Sequence, residues 1–173
     1  MNIPNILTAI RLLLIPVFGY YLYYEQYVIA VTLFILGGIT DVLDGYIARK
    51  YNMITSFGKV ADPIADKLMQ VTALVLLTIQ NVIPIVILII VVAKEAFMIV
   101  GGILLYKKDN FVVSANWYGK LATVVFYLAI VLSIFKVPYS IVFVYFAVLV
   151  TLFAFFMYSI SYRKIRNEKK HNN

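Results

Sequence analysis

Apolar residues run continuously along this chain and are broken only by short polar clusters. Six stretches come close to the roughly 20 mostly apolar residues that a bilayer span needs. They run about Ile6–Tyr24, Tyr27–Ala48, Pro63–Leu77, Val82–Tyr106, Leu121–Phe135 and Tyr139–Tyr162. The third and fifth reach span length only by including polar residues at one end. Barrel strands would alternate in short segments, which these runs do not. A helix satisfies its backbone polar groups within the segment, as lipid requires. The pattern predicts an all-α integral membrane protein with six transmembrane helices.

The polar connections separate by charge. Arg49, Lys50, Lys59 and Lys67 fall on one side, with Lys107, Lys108, Lys120 and the tail Arg163, Lys164, Arg166, Lys169 and Lys170. The other side carries Glu25, the Gln80-Asn81 turn and Lys136. Basic loops stay in the cytoplasm, so both termini are expected there. No basic residue precedes the first apolar run and Arg11 interrupts it, unlike a secretory signal. The expectation is a single membrane domain over 1–173 with a basic tail at 163–173. With no targeting segment read ahead of the first run, a bacterial plasma membrane is the expected location.

Composition narrows the class. Of 173 residues, 64% are hydrophobic and 13% charged, against about 45–50% and about 25% in soluble domains. That excludes a soluble globular enzyme, a disordered chain, a coiled coil and a nucleic-acid-binding domain. There is no cysteine, hence no disulfide and no thiolate metal site. The net charge of +7 reads as orientation against an anionic cytoplasmic leaflet.

The acidic residues are few and clustered. Asp41, Asp44, Asp62 and Asp66 are four of the eight in the chain. Ionisable groups within spans are expensive and functional by default. Asp41, Asp44, Gly45 and Ala48 stand at i, i+3, i+4 and i+7, on one helix face with little bulk beside the carboxylates. Asp62 and Asp66 share a face at i, i+4. Asp62 is a candidate N-cap, with Pro63 suited to the first turn. A cytoplasmic hairpin over Arg49–Ala61 would bring the two pairs together. Four such carboxylates repel one another and need a cation. Oxygen ligands suit Mg²⁺, Mn²⁺ or Ca²⁺, and the one histidine, His171, lies in the tail. Two carboxylate-bridged divalent ions recur in displacement at phosphorus. Arg49 suits phosphate recognition. Helix caps with surface ion pairs are the plainer alternative. A carboxylate-lined cation transporter is another, although its acids would sit at mid-depth rather than at helix ends.

The run Asp41-Val-Leu-Asp44-Gly45-Tyr-Ile-Ala48-Arg49, then eight residues, Gly58, three residues, Asp62, three residues and Asp66 resembles the signature of the CDP-alcohol phosphatidyltransferases, D-x2-D-G-x2-A-R-x8-G-x3-D-x3-D, at every fixed position. The resemblance implies transfer of a substituted phosphate from a CDP-linked donor to an alcohol, with release of CMP. In the lipid-making branch the donor is CDP-diacylglycerol. Carried over by position, Asp41, Asp44 and Asp62 would hold divalent ions, Mg²⁺ or Mn²⁺ and two in number. Asp66 would be a metal ligand or neighbour and the general base. Gly45, Ala48, Arg49 and Gly58 would shape and contact the CDP site. Relatives of this kind are commonly homodimers in the bilayer.

Two further stretches bear on the acceptor. Pro4-Asn5, Thr8 and Arg11 resemble the P-N-x-x-T-x-x-R opening of the phosphatidylglycerophosphate synthase and cardiolipin synthase branches. That face is expected to approach the lipid diphosphate or head group, while head-group snorkelling is the plainer role for Arg11. Lys94-Glu95 resembles the basic-acidic pair of the first branch but lacks its following arginine. Gly119-Lys120 resembles the G-K step before the fifth span. Lys59, Lys94 and Lys120 are candidates for an anionic acceptor. The preferred acceptor is sn-glycerol-3-phosphate, giving phosphatidylglycerophosphate. The alternative is phosphatidylglycerol, giving cardiolipin.

Overall fold

The computed structural model describes the backbone of residues 2–51, 53, 55–109 and 117–171, with side chains left out at 49, 56–57, 59–60, 63, 99–109, 158–159 and 161–171. Six helices follow in order: α1 Ile3–Tyr23, α2 Tyr27–Lys50, α3 Ser56–Ile79, α4 Ile85–Asp109, α5 Trp117–Ile134 and α6 Ser140–His171. They form two compact units, Met1–Ile83 and Pro84–Asn173.

Four helices are long and apolar enough to cross a membrane among the described residues: α1, α2 to Ala48, α5, and α6 to Met157. Six were expected. Helix α3 carries Asp62, Asp66 and Lys67 in its first half, which lowers its hydropathy. In α4 the described side chains stop at Met98. Large apolar side chains stand exposed along the helices, among them Leu13, Val28, Val124, Leu149 and Phe156. Lipid accepts such a surface, whereas a soluble monomer rarely exposes one.

In the first unit, α1 carries Pro4 in its first turn, where proline is suited. Its buried residues are Pro4, Thr8, Arg11, Phe18 and Leu22, a helical stripe that is polar in one half and apolar in the other. The apolar half packs Phe18 against Phe34 of α2, ring centroids 5.4 Å apart. Met69, Ala73, Leu74 and Leu77 of α3 complete that core. Helices α2 and α3 approach closely, and a Cβ on Gly37 would stand 2.6 Å from Met69 Cε. At the far end, Gln80 Nε2 donates to the Leu22 carbonyl at 2.8 Å. Glu25 adopts φ 58° to turn α1 into α2, and the amide of Gln26 closes the turn on the Tyr21 carbonyl at 2.9 Å.

One expected boundary moves. Helix α3 begins at Ser56, well before Asp62. Thr55 is the N-cap: its backbone is extended and its side chain accepts the Gly58 amide at 2.9 Å. Asp62 is therefore not a cap, and Pro63 lies inside the helix. The connection shortens to 51–55. The earlier start sets Gly58, Asp62 and Asp66 at i, i+4 and i+8 of one helix, on a shared face.

In the second unit, α5 and α6 pack as neighbours through Ala122, Phe126, Ala129 and Ile130 on one and Val144, Ala147, Val148 and Ala154 on the other. Small residues at these positions let two helix backbones come close in lipid.

Candidate active site

Three helices of the first unit each bring part of one polar cluster. Asn5, Thr8 and Arg11 repeat every three residues on α1 and so share a face. Thr40, Asp41 and Asp44 end one face of α2. Gly58, Asp62, Asp66 and Gln70 run down α3.

Arg11 is the centre of the contacts. Its side chain is wholly buried. Nη1 meets Asp41 Oδ1 at 2.7 Å, and Nη2 donates to Asp44 Oδ2. Nε lies 3.5 Å from Thr40 Oγ1, whose own proton goes to the Gly37 carbonyl at 2.8 Å. The planar guanidinium thus bridges two carboxylates one helical turn apart, giving one charge-assisted hydrogen bond to each. Asp44 is almost fully enclosed, while the Asp41 side chain keeps 37% of its surface. Neither lipid snorkelling nor a solvent-facing cation describes this arginine.

The α1–α3 seam is built from short polar side chains. Thr8 Oγ1 reaches both the Pro4 carbonyl, at 3.1 Å, and Asp62 Oδ1. One hydroxyl proton serves one of these acceptors at a time. Thr55 donates to Asn5 Oδ1 at 2.9 Å while accepting the Gly58 amide. A Cβ on Gly58 would stand 3.2 Å from Asn5 Oδ1, 3.2 Å from Thr55 Oγ1 and 3.4 Å from Asp62 Oδ2. Glycine there lets α3 lie against Asn5 and leaves the Asp62 carboxylate uncrowded.

Asp66 is buried and shares its helix with two partners. Gln70 Nε2 donates to both carboxylate oxygens, at 3.3 and 3.1 Å. Lys67 Nζ stands 3.7 Å from Oδ2.

The other candidates fall as follows. Gly45 and Ala48 are half-buried on α2 beyond Asp44. The side chains of Arg49 and Lys59 lie outside the described residues. Lys94 and Lys120 belong to the second unit. There Lys94 Nζ pairs with Glu95 Oε1 at 2.6 Å, both side chains at least nine-tenths enclosed. Neighbours in sequence thus meet end to end without sharing a helix face. Lys120 is exposed, and a Cβ on Gly119 would touch nothing within 4 Å.

Thr40, Thr55 and Gln70 were not foreseen. Gln70 carried a signal, standing at i+4 from Asp66. Thr55 carried another, three residues before a glycine at a helix start. Thr40 had none beyond adjacency to Asp41.

The donor set suits a hard cation. It is all oxygen, and the guanidinium demonstrates that Asp41 and Asp44 can converge on one positive charge. Among the described residues no three acidic side chains stand close enough together to hold an ion as they are placed.

The CDP-alcohol phosphatidyltransferase family model matches residues 1–154. The CDP-diacylglycerol–glycerol-3-phosphate 3-phosphatidyltransferase of Rickettsia felis is 41% identical over 103 residues, 58% of this chain and 56% of that protein. The protein of the same name from Aquifex aeolicus is 35% identical over 126 residues, 71% of this chain and 70% of its own. The probable phosphatidylglycerophosphate synthase of Mycobacterium tuberculosis is 35% identical over 145 residues, 80% of this chain and 68% of its own. The chain spans about half the length of the first of these relatives.

Proposed function

The chain belongs to the CDP-alcohol phosphatidyltransferase family, and from that premise we propose that it transfers a phosphatidyl group from CDP-diacylglycerol to sn-glycerol-3-phosphate. The products are phosphatidylglycerophosphate and CMP. The observation that carries this reading is the convergence of Asp41, Asp44, Gly58, Asp62, Asn5, Thr8 and Arg11 in one three-helix cluster. The names of the relatives support the acceptor.

Asp41, Asp44, Asp62 and Asp66 would hold Mg²⁺ or Mn²⁺, two ions being the arrangement suited to a diphosphate. When bound, such ions supply charge neutralisation on the phosphates. The chain's own residues do the rest. The acceptor hydroxyl attacks the lipid-bearing phosphorus, and the Asp66 carboxylate takes its proton. The bond from that phosphorus to the bridging oxygen breaks, and CMP leaves with the electron pair. Gln70 holds the Asp66 carboxylate oriented through both oxygens. Gly58 keeps the α1–α3 seam narrow beside Asp62. Gly45, Ala48 and Arg49 border the cytidine side, and Lys59 attracts the anionic acceptor.

The same reading places the protein in a bacterial plasma membrane as a homodimer. Six spans then put both termini and the site on the cytoplasmic side. The basic residues Arg49, Lys50, Lys107 and Lys108 at the ends of α2 and α4 support that orientation. One functional domain over 1–173 is supported by a family match that runs through both units. A lipid donor suits a bilayer-edge site, since its acyl chains remain in hydrocarbon. The test is CMP release from CDP-diacylglycerol in membranes holding the protein. Glycerol-3-phosphate, phosphatidylglycerol, serine and inositol phosphate are offered in parallel. Release with glycerol-3-phosphate alone supports the reading. Release with phosphatidylglycerol alone makes the protein a cardiolipin synthase, and cation flux without any release makes it a transporter.

A further inference from the structure

We propose that Arg11 competes with divalent cations for Asp41 and Asp44, so that loading the site requires the guanidinium to withdraw. The inference rests on the reading of these aspartates as ion ligands.

Three observations carry it. The guanidinium already takes one oxygen from each carboxylate, Asp41 Oδ1 and Asp44 Oδ2. A hard cation bridging the pair would seek those same oxygens. Arg11 and Asp44 are both cut off from solvent, so neither can keep its charge without a partner at that position. Finally, Arg11 comes from α1 while the carboxylates come from α2, so the pair also ties two helices together. Arginine cannot discharge itself by losing a proton. It must therefore stay paired with the aspartates or move to another anion, and the diphosphate of an incoming donor is an anion of the right kind. Arg11 would then act twice: as internal counter-ion before loading, and as a phosphate ligand after it. By linkage, whatever draws Arg11 away strengthens cation binding, and the reverse holds equally.

The experiment uses the full chain purified in detergent and stripped with EDTA, with Mn²⁺ alone as the probe. Mn²⁺ affinity is measured by titration calorimetry, and unfolding midpoints are taken with and without Mn²⁺. Arg11→Gln should bind Mn²⁺ about tenfold tighter than wild type, within the usual range of site-to-site coupling. Its midpoint should fall below wild type in EDTA, and Mn²⁺ should raise it by more than it raises wild type. Arg11→Lys keeps a charge but reaches one carboxylate at a time, so its affinity should lie between the two. Should Arg11→Gln not fold, the Lys variant decides, with tighter binding than wild type expected. Equal or weaker Mn²⁺ binding in the folded variants overturns the competition while the metal reading stands. A wild-type protein that binds no Mn²⁺ removes the metal reading and the inference with it.

Discussion

Arg11 of α1 and Asp44 of α2 form an ion pair from which solvent is excluded on both sides. The pair joins the face that opens the chain to the face that carries the aspartates. Removing one member of such a pair typically costs about 3–5 kcal/mol when the other is left alone, and less here, because Arg11 keeps its contact with Asp41. Asp44→Asn should therefore lower the thermal midpoint in detergent by several degrees, besides abolishing CMP release. An unchanged midpoint would mean that the pair does not hold α1 to α2.

Two glycines make a matched comparison. At Gly58 a methyl group would press on Asn5 and Thr55 and touch Asp62. Gly58→Ala is expected to cut turnover about tenfold or more, as displaced catalytic geometry does. At Gly119 the space is open, and alanine is the better helix former by roughly 1 kcal/mol. Gly119→Ala should leave turnover intact and hold or raise the midpoint. Equal effects at both sites would contradict the close seam at Gly58.

Gln70 bears on the proposed base. Gln70→Leu removes both hydrogen bonds to Asp66. It should lower kcat about tenfold, in the range usual for residues that orient a functional group, with little change in KM for the donor. A variant that raises KM and spares kcat would assign Gln70 to binding instead.

Divalent ions should be required. EDTA should stop CMP release, and Mg²⁺ or Mn²⁺ should restore it. Full activity in EDTA would remove the aspartates as ion ligands.

Much of this site could be read from the sequence. The spacing of Asp41 with Asp44, and of Asp62 with Asp66, follows helical geometry alone, and the structure keeps both pairs on their own helices. What could not be read was which groups neutralise them. Arg11 lies 30 residues before Asp41, and a local pattern carries no information about contacts at that separation. The start of α3 was misplaced because Pro63 and Asp62 make a plausible opening turn, whereas the Thr55 cap wins through its bond to Gly58. The span count was harder for the same reason that the site exists: Asp62, Asp66 and Lys67, with Lys59, are carried in the first half of a helix whose second half is mostly apolar. The Lys94–Glu95 contact was illegible because sequence neighbours on a helix point apart at Cβ and meet only at the ends of long side chains.

The central claim is tested most directly by counting both products in one tube. Purified protein is given CDP-diacylglycerol in mixed micelles, Mg²⁺ and labelled glycerol-3-phosphate, and CMP and lipid-soluble label are measured over time. The account predicts that both rise together, one CMP for each labelled phosphatidylglycerophosphate, and that both vanish in Asp66→Asn. CMP release without labelled lipid, or labelled lipid formed undiminished by Asp66→Asn, would contradict it.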